Sequence, residues 1–142
     1  MHSMTNDLKD RDVDEITNMV ADITEKAVRK ARKVVISTIV NRDDDPVTNA
    51  KAEAVNAGIR FKLMNKTNVS ICTNENLKDR KFRCDKIHLT DRGVSRLANN
   101  LKYKIAGALN ITVKKKPWVE NRYELGNCHD YEEDHFRYVN DS

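Results

Sequence analysis

Asp85-Lys86-Ile87-His88-Leu89-Thr90 sets a carboxylate three residues ahead of a histidine, on one turn of backbone and immediately before a helical pattern. An imidazole is the side chain best suited to take and return a proton near neutral pH. A neighbouring carboxylate can hold it in one tautomer and stabilise the imidazolium that forms, as in Ser-His-Asp hydrolysis. On spacing alone the same pair also fits a helix-capping aspartate beside an exposed histidine. Its position on a strand-to-helix connection favours chemistry, because open α/β sheets bind ligands beyond the carboxyl ends of their strands.

Other groupings are weaker. Cys128-His129 and His135, among Asp130, Glu132, Glu133 and Asp134, hold metal-ligating types without a standard metal spacing. Asp43-Asp44-Asp45 follows a strand pattern and reads as a solvated loop rather than a cation site. His2, two residues from the start, is read as structural or frayed. Lys114-Lys115-Lys116-Pro117-Trp118 is a basic patch ending in an aromatic, a short candidate for nucleic-acid contact. No glycine-rich phosphate loop is present, and neither a metal nor an organic cofactor is expected.

The elements that must position the Asp85/His88 pair follow from periodicity. Residues 12 to 33 predict a helix, with Val13, Ile16, Met19, Val20, Ile23, Ala27, Val28 and Ala31 as its apolar stripe and Asp12 with Glu15 as a capping box. The β-branched run 34 to 40 predicts a strand covered on both faces. Asn41 to Pro46 is a polar loop. A second helix is predicted over 47 to 64 (Val47, Ala50, Ala54, Val55, Ile59, Leu63), with Gly58 as its weak point. A short strand follows at 68 to 72. After a polar connection, a third helix is capped by Thr90 or Asp91 and carries the stripe Val94, Leu97, Ala98, Leu101, Ile105 and Leu109. Alternation of this kind implies an α/β fold with a parallel sheet and helices on both faces. Two readable strands are few for three amphipathic helices, so the chain reads as beginning in mid-fold.

The chain has 142 residues, enough for one domain, and a net charge of +4. That charge divides unevenly. Residues 119 to 142 hold seven acids and two bases, a net of −5, which leaves +9 on the rest. Residues 1 to 112 are expected to form the domain, and 113 to 142 a disordered or loosely attached tail. Three cysteines without a Cys-x-x-Cys pair argue against a disulfide framework and for reduced thiols in an intracellular protein, with Cys72 a small buried hydrophobe. No apolar run reaches the length of a membrane span.

Asp85-Lys-Ile-His88-Leu-Thr-Asp-Arg-Gly93-Val-Ser-Arg-Leu97-Ala98 resembles the last conserved block of the SGNH, or GDSL-like, hydrolases. Thr5-Asn6-Asp7-Leu8 is similar to the end of that family's Gly-x-Asn-Asp block, and Ile36 to Val40 with Asn41-Arg42 to the strand between the two. The likeness is greatest to esterase domains in reading frames of animal non-LTR retrotransposons, and it spans roughly residues 2 to 109. The resemblance implies a three-layer, flavodoxin-like parallel sheet, truncated at its N-terminus. It implies ester hydrolysis through a serine acyl-enzyme, with His88 as general base, Asp85 as its orienter and Asn6 as an oxyanion donor. Gly93 would permit close helix packing, and Asp7 would be structural. The Gly-Asp-Ser block that carries the nucleophile is absent from this chain, and Met4 stands where the family has glycine. The expectation is therefore a fragment that is inactive alone. The alternative is a non-enzymatic nucleic-acid-binding or interaction module using Lys114, Lys115 and Lys116.

Overall fold

The computed structural model describes residues 8 to 114. Its elements are α1 (Val13–Val28), β1 (Val34–Ser37), α2 (Pro46–Leu63), β2 (Val69–Cys72), two 3-10 turns (Glu75–Leu77 and Arg80–Phe82) and α3 (Asp91–Ala108). The two strands pair in parallel, with Val34 opposite Val69 and Ser37 opposite Cys72. The fold is thus mixed helix and strand around a two-stranded parallel sheet.

Two of the three helix starts use the caps read from the sequence, and the third uses a residue of the expected polar loop. The Asp12 side chain accepts from the Glu15 amide at 2.7 Å and caps α1. Asp45 caps α2, accepting from the Val47 amide at 2.9 Å, with Pro46 at the first turn. Thr90 caps α3, its hydroxyl accepting from the Gly93 amide at 3.1 Å. Helix α1 stops at Val28 rather than at residue 33, so the basic run beyond it lies outside the regular helix. Strand β1 stops at Ser37 rather than at residue 40, because beyond it buried side chains take over the backbone pairing.

Register decides which face each strand residue serves. Ile36 and Ile71 are partners and pack, with Val69, against the cluster of Leu8, Ile16, Val20, Val55, Ile59 and Leu63 between α1 and α2. Side chains alternate along a strand, so Ser70 and Cys72 face the other way. There Ser70 lines a groove with Tyr103, Lys104 and Gly107 of α3. Cys72 is 2% exposed, and burial raises its thiol pKa, as a small core hydrophobe requires.

The helix faces differ from the expected stripes. In α1 the buried set is Ile16, Thr17, Val20 and Thr24, while Met19 and Ile23 are exposed. The two threonines can enter the core because their hydroxyls bond back to the Val13 and Val20 carbonyls. In α2 the core-facing set is Thr48, Ala52, Val55, Asn56, Ile59 and Leu63, and Val47 is exposed. Gly58 is a contact rather than a weak point: a β-carbon there would stand 2.9 Å from Thr17 of α1. In α3 only Gly93 and Ala106 are buried, and Val94, Ile105 and Leu109 are exposed. A sheet of two strands does not cover the whole stripe of that helix.

The entry of α3 is tighter than its stripe. A β-carbon on Gly93 would meet the Phe82 carbonyl oxygen at 2.3 Å. Gly93→Ala is therefore expected to destabilise the chain by about 2 kcal/mol or more, because backbone rather than a flexible side chain must give way. Gly107→Ala, with nothing within 4 Å of the added carbon, is expected to stabilise by about 0.5 to 1 kcal/mol through helix propensity. Thermal melts of both variants check the pair, and a Gly93→Ala melt equal to wild type would overturn the packing argument.

Candidate functional site

The site is built on the connection from β2 to α3. That connection is pinched at its base by an antiparallel bridge between Arg83 and Leu89, and the Cys84 amide donates to the His88 carbonyl at 3.0 Å. The Thr90 amide donates to the Phe82 carbonyl at 2.9 Å, which fixes where α3 begins. Asp85 organises the tip. Its Oδ1 accepts from the Ile87 and His88 amides at 2.6 and 2.5 Å, and its Oδ2 meets His88 Nδ1 at 2.7 Å. Both oxygens are thereby used, one by backbone and one by the ring.

Charge follows from this geometry. The His88 hydrogen bond, then the backbone amides, pull the Asp85 carboxyl down to about 2. An aspartate held ionised at Nδ1 favours the tautomer that leaves Nε2 as the proton acceptor. His88 Nε2 makes no hydrogen bond among the described residues, and the imidazole side chain is 74% exposed. The arrangement can supply a pre-oriented general base. It differs from the protease template in that its carboxylate is also exposed, at 54%, so water screens the pair.

The two loops that follow the strands converge. The Asp43 amide donates to the Lys86 carbonyl at 2.7 Å, tying the β1–α2 loop to the Asp85/His88 turn. The dyad thus lies at the carboxyl edge of the sheet, where strand order placed it. The acidic triplet of that loop divides its roles. Asp43 faces Arg83, Asp44 forms a two-pronged pair with Arg42 at 2.8 and 2.5 Å, and Asp45 caps α2. Among the described residues no group of three or more metal-ligating side chains gathers.

Asn6, the expected oxyanion donor, lies outside the described residues, as do Asp7, His2, Lys115, Lys116, Cys128, His129 and His135. The described chain begins at Leu8, which is 2% exposed in the core. Lys9 stands near enough to Asp44 to help lower its carboxyl pKa, so this segment starts beside the same loop. Lys114 is described and exposed. No serine is hydrogen-bonded to His88 among the described residues. Ser37 instead accepts from the Asn74 side chain at 2.9 Å, and Ser70 faces the α3 groove.

Sequence reasoning missed the basic residues beside the dyad. Arg80, Arg83 and Lys86 line one cleft with Asp43, Cys84 and Asp85. The signal available was the density of bases from Lys78 to Lys86, which reads in isolation as an ordinary polar connection. No helix among the described residues is long and apolar enough to cross a membrane. No family model, curated protein or solved structure matches this chain.

The depressed Asp85 carboxyl gives a pH test. Its folded pKa lies below the ordinary aspartate value, so its contribution to the folded turn is present above about pH 4 and is lost as pH falls toward 2. Because the group is half exposed, the contribution stays under about 1 kcal/mol. In NMR titrations the Ile87 and His88 amides are expected to shift with a midpoint near 2, and Asp85→Asn should abolish that transition. A midpoint near 4 would mean that the carboxylate is not held as described.

Proposed function

We infer that this chain carries the base-and-orienter part of an SGNH-type ester hydrolase site on a three-layer, flavodoxin-like frame, and that it is catalytically silent alone. One observation carries the reading: the 2.7 Å contact between His88 Nδ1 and Asp85 Oδ2, with Nε2 open to solvent at the carboxyl edge of a parallel sheet. In that role His88 takes the proton from a serine hydroxyl as it attacks the ester carbonyl, then returns it to the leaving alcohol. Asp85 fixes the ring and balances the imidazolium. Asn6 donates its side-chain amide to the oxyanion, a contact typically worth about 3 kcal/mol of barrier. Gly93 supports the reading, since the close approach of α3 to Phe82 sets the short span between dyad and helix.

The missing partner is the nucleophile. The chain contains no Gly-Asp-Ser sequence, and loss of one triad member typically costs about three or more orders of magnitude in rate. The purified chain is expected to hydrolyse a short-chain aryl ester no faster than a His88→Ala variant. Fusion to the Gly-Asp-Ser-bearing half of an SGNH-type esterase domain is expected to create turnover that His88→Ala lowers by about 1000-fold or more. Turnover by a folded fusion that ignores His88→Ala would overturn the assignment of the base.

A second reading, nucleic-acid contact through a basic face, is favoured by the gathering of cations around a buried ring. Lys81, Arg92 and Arg96 stand 5.2, 5.9 and 5.5 Å from the Phe82 centroid. Such a face would bind phosphates without reading bases. Affinity for a labelled RNA oligomer should then fall steeply with salt, and Arg92→Ala should reduce the log–log slope by about 1. Affinity indifferent to salt would exclude it.

A further inference from the structure

The cleft beside the dyad has a chemistry that does not depend on the esterase reading. It encloses about 240 Å³ between the β1–α2 loop and the Arg83–Leu89 turn and is lined by Asp43, Arg80, Arg83, Cys84, Asp85 and Lys86. His88 is not among these residues.

Three of the lining side chains are cations and two are carboxylates, and each carboxylate already has a partner. Asp85 is held by the His88 ring and two amides. Asp43 Oδ2 stands 3.6 Å from Arg83 Nε, near enough to balance charge but beyond hydrogen-bond reach. The Arg83 side chain is 2% exposed, and its Nε and Nη2 have no hydrogen-bond partner. Buried polar groups are otherwise almost always satisfied, and leaving a guanidinium donor unfilled is costly. Asp43 offsets the charge of Arg83, so the surplus positive charge of the cleft falls to Arg80 and Lys86. Arg80 and Lys86, both exposed, make no ion pair among the described residues.

We propose that this cleft binds a phosphate group, with Arg83 as its buried anchor and Arg80 and Lys86 as its exposed arms. Cationic side chains from three positions suit a doubly charged tetrahedral oxyanion, whereas a single guanidinium fork already satisfies a planar carboxylate. The volume exceeds that of one phosphate and leaves room for an attached organic group. Free phosphate and a phosphate monoester share this chemistry.

The experiment titrates the full chain with inorganic phosphate and, separately, with glycerol 3-phosphate. Ionic strength is held constant with chloride, and the amide resonances of residues 80 to 88 are followed by NMR. Saturable shifts are expected in both arms, and tighter binding of the ester would identify the organic group as part of the ligand. The exposed pair Arg80→Ser/Lys86→Ser is expected to weaken binding at least about tenfold, because charge-assisted hydrogen bonds are strong. Lys102→Ser, a charge removed from the exposed surface of α3, should leave it unchanged. Arg83→Lys keeps the charge and loses the fork. If its melt is native-like, it should also weaken binding. If it does not fold, the exposed double variant decides. Shifts that fail to saturate, that survive the double variant, that fall equally in Lys102→Ser, or that appear with glycerol 3-phosphate but not with inorganic phosphate would each overturn the proposal.

Discussion

Two buried asparagines govern where the strands end and therefore where everything beyond them goes. Asn56, on α2, accepts from the Ile39 amide at 2.8 Å and donates to the Ile39 carbonyl at 2.9 Å, standing in for a neighbouring strand. Asn74, just past β2, donates to the Ser37 hydroxyl and the Thr38 carbonyl at 2.9 Å, while its own amide donates to Thr38 Oγ1 at 3.1 Å. Backbone groups leaving a two-stranded sheet would otherwise be buried without partners. These side chains satisfy them and release both loops at the same edge. Asn100 of α3 joins the network through the Asn74 carbonyl oxygen at 3.1 Å, so the third helix is keyed to the same point.

The dyad depends on that arrangement for its place and on Asp85 for its shape. A carboxylate that accepts from two amides of its own turn needs no deep pocket to hold its orientation. This is why an exposed histidine three residues later can be ordered, and why the pair is small, local and open to water. The cleft next to it has the opposite character. Arg83 is buried by tertiary packing, with its partner Asp43 arriving from a loop forty residues earlier in the chain. The two features share Asp85 and the Asp43–Lys86 backbone bond.

The exposed apolar residues of α3 show what a minimal sheet leaves undone. Strand faces are consumed by α1 and α2 on one side, where Ile36 and Ile71 pack against the core cluster. The other face offers Val35, Ser37, Ser70 and Cys72, too little apolar surface for a stripe of six hydrophobic positions. The helix is nonetheless seated firmly at its start, by the Thr90 cap and the contact at Gly93.

Much of this was legible in the chain. Capping residues act on amides two or three positions away, so Asp12 and Thr90 declared their helix starts, whereas Asp45 read only as part of a polar loop. The β-branched runs declared the strands, and Asp85 to His88 declared a turn whose side-chain bonds are all local. What the sequence could not fix was direction. A helical period locates an apolar stripe only when apolar residues alone are buried. Thr17, Thr24 and Asn56 enter the core because their polar atoms are satisfied by backbone, and that depends on the partner as much as on the residue. The cleft was hidden for the same reason. Arg80, Arg83 and Lys86 are ordinary surface charges in a linear reading, and only the meeting of two distant loops buries one of them and sets the others around a shared space.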